Sequence, residues 1–99
     1  MALFDVHQLN SGALVLDCQS EAVSDLVTTR FVVPLFDPNL VPQTLKSLHP
    51  LLRVQDRTVL MATQLATAVR ASDLSPPLAS LEDQRYTILN ALDFLISGV

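Results

Sequence analysis

The 99 residues suit one domain, 1–99, and the 49% that are hydrophobic supply its core. Only 5% are aromatic and there is no Trp, so that core is expected to consist mainly of Leu, Val and Ala. The formal net charge of −4 and six scattered bases (Arg30, Lys46, Arg53, Arg57, Arg70, Arg85) speak against the basic stripe of a nucleic-acid binder.

The segment Leu3–Leu9 is rich in β formers and places Phe4 and Val6 on one face. Asn10–Gly12 is a turn signal, and Ala13–Gln19 follows with Leu14, Leu16 and Cys18 alternating. Two such runs around a short glycine-containing loop predict a hairpin. Ser20–Thr28 is polar, and Ser20 and Glu21 can cap a helical turn. Thr29–Leu35 is β-branched, but Pro34 cannot donate to a ladder, which predicts an edge or an end there. Prolines 38, 42 and 50 make the next stretch a structured loop.

Leu51–Asp56 and Arg57–Thr63 form a second predicted hairpin, turning near Gln55-Asp56-Arg57. Gln64–Ala71 is open to two readings. Its Ala, Leu and Gln favour a helix, whereas a strand continuing from Met61 is the rival. Pro76-Pro77 marks a loop. Ser80–Ser97 has the pattern of a helix: Ser80 at the N-cap, Glu82 and Asp83 in the first turn, and an apolar stripe of Leu81, Ile88, Leu92 and Leu95 widened by Leu89 and Ile96. Gly98 falls where helices end in a left-handed residue. Strands first and one helix last predict a mostly-β or α+β domain.

Chemistry is sparse. His7 and Asp5 share a strand face, but no third group joins them, so a solvent-facing pair is expected. His49 precedes Pro50 in a loop and is expected to be solvated. Cys18 alternates with Leu14 and Leu16, as a small core residue would, and has no partner for an internal disulfide. Ser20 lacks a nucleophile-elbow context, and two glycines in all leave no phosphate-binding loop. No catalytic residues, cofactor or metal site are expected. No apolar run approaches the ~18 residues of a membrane helix, and the first ten residues lack a signal-peptide pattern. A soluble, cytoplasmic binding domain is the expectation. The apolar ending Asn90–Val99 adds the expectation of a contact there, including pairing with a second copy.

The order of these segments resembles the CcdB family, the toxin half of toxin–antitoxin pairs. "ALVLDCQS" is similar to the family's second strand with its D-x-Q-S ending, here Asp17, Gln19 and Ser20. "TRFVVPL" matches a basic residue leading an apolar run into Pro-Leu, here Arg30, Pro34 and Leu35. "LMATQLA" resembles the family's M-x-T-x-x-[LM]-A strand, here Met61, Thr63, Leu65 and Ala66. "ILNALDFLISGV" resembles the I-x-N-A-[IL] helix with its Gly-aliphatic end, here Ile88, Asn90, Ala91, Gly98 and Val99.

The resemblance implies a small antiparallel, sheet-rich, barrel-like domain of CcdB/MazF type with a C-terminal α-helix, in which Gln64–Ala71 continues a strand. It implies a homodimer that binds the DNA gyrase A subunit, traps gyrase on cleaved DNA, and is neutralised by a cognate CcdA-like antitoxin. Such toxins serve plasmid maintenance or sit on chromosomes, and need no cofactor. The family's target contact is its last three residues, here Ser97, Gly98 and Val99. Ser97 replaces the family Trp, and a serine cannot stack as that anchor does. A homologue that binds only the antitoxin is therefore a second reading. The related MazF and Kid toxins cut RNA, and Arg30, Arg53 and Arg57 are the residues that such an endoribonuclease would use here.

Overall fold

A computed structural model describes residues 2–23, 27–41 and 45–98. Among these, seven strands form one antiparallel sheet: β1 Asp5–Gln8, β2 Leu14–Asp17, β3 Thr29–Phe36, β4 Leu51–Val54, β5 Arg57–Met61, β6 Thr67–Arg70 and β7 Ala79–Ser80. The order is β4-β5-β3-β2-β1-β7, with β6 on the other half of β3. The sheet curls into a nearly closed barrel, and helix α1, Arg85–Ser97, follows it. The mostly-β, α+β expectation is met.

Both predicted hairpins form. Gly12 takes φ +91 in the first, where its N–H reaches Leu9 O at 2.9 Å. Gln55 takes φ +56 in the second, at the turn between β4 and β5. Regular pairing in β1 starts at Asp5, not Leu3, because Phe4 adopts φ +71. Its N–H still reaches Asp17 O at 2.7 Å and its carbonyl accepts Leu81 N–H at 2.9 Å, so the kink is fully bonded while the ring is wholly buried. Val6, Leu16, Val33, Met61 and Ile88 complete the centre of the core, all at 0% exposure. Glu21–Val23 makes one 3₁₀ turn, and Ser20 Oγ accepts Ala22 N–H at 3.2 Å, as capping predicts.

Pro34 neither ends β3 nor lies on an edge. Strand β3 runs through it with β2 on one side and β5 and β6 on the other. Cys18 N–H bonds Phe31 O, and this alternation turns the backbone of residue 34 away from β2. There Pro34 O accepts Ala62 N–H at 3.0 Å. The missing N–H thus falls where β3 changes partner, opposite a 3₁₀ turn at Thr63–Leu65 that interrupts the neighbouring chain. Beyond that turn, β6 settles the ambiguity of Gln64–Ala71 in favour of a strand, since pairing with Thr29–Val32 overrides alanine's helical propensity.

The helix begins later than Ser80. Ser80 lies in β7, paired with Asp5, and Leu81 N–H is bonded to Phe4. Leu81 is 2% exposed, so the barrel holds this backbone extended. A 3₁₀ turn, Glu82–Gln84, intervenes, and Gln84 is the N-cap residue of α1. Ser80 Oγ instead accepts Glu82 N–H at 3.4 Å. The apolar stripe also divides. Ile88 and Ala91 are buried and Leu92 half-buried, whereas Leu89, Leu95 and Ile96 are exposed.

Candidate functional site

The last turn of α1 carries the residues that the resemblance singles out. Gly98 sits at the C-cap with φ +77 and ψ +16, and its N–H bonds Phe94 O at 2.9 Å. This is the left-handed stop that glycine adopts without steric cost. A Cβ at Gly98 would meet nothing within 4 Å, so within this chain the glycine answers to conformation and not to crowding. Ser97 Oγ turns back and donates to Asp93 O at 2.8 Å, one helical turn earlier. Its hydroxyl is engaged by its own helix. Val99 lies outside the described residues.

Ser97 also lines a cleft of about 500 Å³ between α1 and the loop before β4. Thr87, Asn90, Asp93, Phe94 and Ser97 form its helix wall, and Lys46, Ser47 and Pro50 face them. Thr87, Asn90, Phe94 and Ser97 are spaced three, four and three, as on one helix face that the sequence makes readable, and Asp93 borders them. The lysine wall carries no such signal, because it comes from a distant loop. In the same turn of α1, Ile96 is 82% exposed.

The residues that carry the resemblance in the barrel wall meet one another. Asp17 and Arg30 form a buried ion pair, with Arg30 Nε to Asp17 Oδ2 at 2.9 Å and Nη2 at 2.6 Å. Their side chains are 0% and 3% exposed. Asp17 Oδ1 also accepts Gln19 N–H at 3.0 Å, and Gln19 Oε1 accepts Phe31 N–H at 2.9 Å. The network ties the end of β2 to the start of β3. It also corrects the reading of Arg30 as a groove residue, because its guanidinium is inside the fold. Arg53 and Arg57 remain exposed.

Both histidines are buried, contrary to the solvated expectation. His7 is 0% exposed, and its Nδ1 lies 2.7 Å from Ser75 O. A carbonyl only accepts, so Nδ1 holds the proton and donates. The reason for the burial is the 75–81 segment, which lies along β1: Ser75 N–H bonds Gln8 O, and Leu78 N–H bonds Val6 O. His49 is 7% exposed, with Nε2 2.7 Å from Gln64 Oε1. Asp5 is not drawn to His7; its Oδ2 accepts Ala2 N–H at 3.1 Å.

Cys18 is half-buried against the core. Burial pushes its thiol up to about 12, and the Asp17 carboxylate adds to the effect. That disfavours the thiolate a nucleophile needs. Among the described residues no three His, Cys, Asp or Glu side chains group to hold a metal ion, and no helix is long and apolar enough to cross a membrane.

The class defined by this architecture is a small antiparallel barrel that carries one capped C-terminal helix. The chain belongs to the CcdB family: the family model described as CcdB protein matches residues 3–98. That family comprises toxins of toxin–antitoxin systems, and this chain is a toxin-family domain of that kind. The comparison with curated proteins gave no match.

Proposed function

We propose that the chain, as a single domain over residues 1–99, is the toxin of a type II toxin–antitoxin system. It acts in the cytoplasm by binding the DNA gyrase A subunit, trapping gyrase on cleaved DNA, and a cognate CcdA-like antitoxin reverses it. The observation that carries this reading is the family match over residues 3–98. The toxin works as a homodimer, which the exposed Leu89, Leu95 and Ile96 on α1 support, since exposed apolar patches commonly mark contacts. It acts by binding and not by hydrolysis. Ser97, Gly98 and Val99 are the proposed target contacts, and the capped end of α1 supports their role by fixing Gly98 in one conformation.

A second reading, a homologue that binds the antitoxin but poisons weakly, is favoured by Ser97. Its hydroxyl is held by Asp93 O and offers no stacking surface. The RNA-cutting alternative loses support from the burial of Arg30.

Expression of the chain is expected to arrest growth, and the purified protein to stabilise gyrase-cleaved DNA. RNA cleavage without an effect on gyrase would overturn the reading. Ser97→Trp separates the two toxin readings. An interface anchor is worth about 2 kcal/mol, roughly thirtyfold in affinity. Toxicity gained on that scale places the weakness at residue 97, and no gain means the target surface differs elsewhere.

A further inference from the structure

The barrel is closed along most of its circumference by backbone ladders, but not between its two end strands. Across the gap from β4 to β7, the hydrogen bonds come from two glutamine side chains. Gln84 Oε1 accepts Arg53 N–H at 2.9 Å, and Gln84 Nε2 donates to Arg53 O at 2.8 Å. A primary amide thereby makes the pair of bonds that one residue of a neighbouring strand would make. From the other side, Gln55 Nε2 donates to Leu78 O at 3.2 Å. All three bonds are exposed.

The space around them is open. Clefts of about 430 and 470 Å³ lie along this gap, and Gln55 lines both. The contrast with β3 is direct, since that strand has backbone partners on both sides whereas β4, among the described residues, has β5 alone. Leu52, Val54 and Leu81 pack into the core on the inner side, so it is the solvated outer bonds that place this seam toward the low-stability end of the fold. Gln84 is also the N-cap residue of α1, so the same side chain joins the start of the helix to the free edge of β4.

We propose that the β4–β7 seam is the built-in opening point of the barrel, latched by Gln84 and Gln55. Release of the latch lets β4 lift off β5 and frees the start of α1 with it, while β1, β2 and β3 stay paired. The opened edge of β4 then presents the Arg53 N–H and C=O that Gln84 now occupies. The inference does not depend on the toxin's target.

Native-state hydrogen exchange on the full chain tests it. The Arg53 amide is uninformative, because removing its acceptor speeds it trivially. Leu52 and Val54 are the reporters. Pro50 O accepts Met61 N–H, and the alternation from that bond directs the Leu52 and Val54 N–H groups toward β5 and away from Gln84. In Gln84→Met, exchange at Leu52 and Val54 is expected to rise about tenfold or more, the factor lost with one or two net hydrogen bonds. Leu16 and Val33 should change only as much as global stability does. Gln55→Met, at the exposed turn, should speed the same two reporters by a smaller factor. A change confined to Arg53 would overturn the proposal, because β4 would then not open as a unit. Equal acceleration of Leu52, Val54, Leu16 and Val33 would also overturn it, because opening would then be global.

Discussion

The wall of the barrel at β2 and β3 and the last turn of α1 use their marked residues in opposite ways. In the wall, Asp17, Gln19 and Arg30 are bonded to one another or to the neighbouring strand, and Asp17 and Arg30 are almost wholly buried. At the helix end, among the described residues Ser97 and Gly98 bond only their own last turn, and Ile96 stands in the open. The first set builds the fold, and the second leaves a surface for something else. A resemblance in the wall therefore speaks to architecture. Only a resemblance at the tip can speak to a target, and it is at the tip that the resemblance expects a Trp where Ser97 stands.

The comparison breaks most sharply at Arg30. Arg30→Met removes one member of a buried pair and leaves the Asp17 carboxylate inside without its main partner. Such losses cost about 3–5 kcal/mol. Urea unfolding should therefore shift strongly, and Asp17→Leu/Arg30→Met should recover part of the loss. A double variant no better than Arg30→Met would mean that the pair does not act as a unit. That outcome would weaken the account of why the D-x-Q-S segment and Arg30 occur together.

A second contrast runs across α1 itself. Ile88 is 0% exposed and Ile96 is 82% exposed. Ile88→Ala should cost about 2–5 kcal/mol, as for other buried aliphatic truncations. Ile96→Ala should move the stability of the isolated chain by about 0.5 kcal/mol or less. If the homodimer uses this outer face, Ile96→Ala should instead weaken self-association, seen as a concentration-dependent midpoint. Analytical ultracentrifugation beside urea melts distinguishes the two effects.

Much of this division could be read from the sequence. Alternation and turn residues gave both hairpins, and Gly98 marked its own left-handed cap. What stayed illegible was polarity turned inward. Asp17 and Arg30 lie 13 positions apart, and His7 and Ser75 lie 68 apart. Local periodicity takes a charged or polar residue as outward because it cannot see a distant partner. The same blindness misplaced Pro34, whose missing N–H is harmless only because a 3₁₀ turn lies opposite. It also set the helix start too early, since the bond from Leu81 to Phe4 depends on β1. At the candidate site, Ser97 and its helix-face neighbours were legible by spacing, whereas Lys46 and Ser47 were not.

The last contrast divides conformation from contact at the tip. Gly98→Ala places a Cβ on a residue at φ +77, where L residues other than Asn and Asp pay about 1 kcal/mol or more. The surrounding space is open, so that cost is conformational and should appear as a modest loss in urea stability with fraying of the last turn. Gly98→Asn keeps a side chain but tolerates the left-handed region, and its stability should lie near that of the glycine chain. If the tip is a contact surface, Gly98→Asn should still lose target binding, because a partner approaching the bare Cα now meets a side chain. Asn restoring both stability and binding would mean that Gly98 serves only to stop the helix. The contact would then have to come from its neighbours, with Ile96 the largest exposed apolar group beside it.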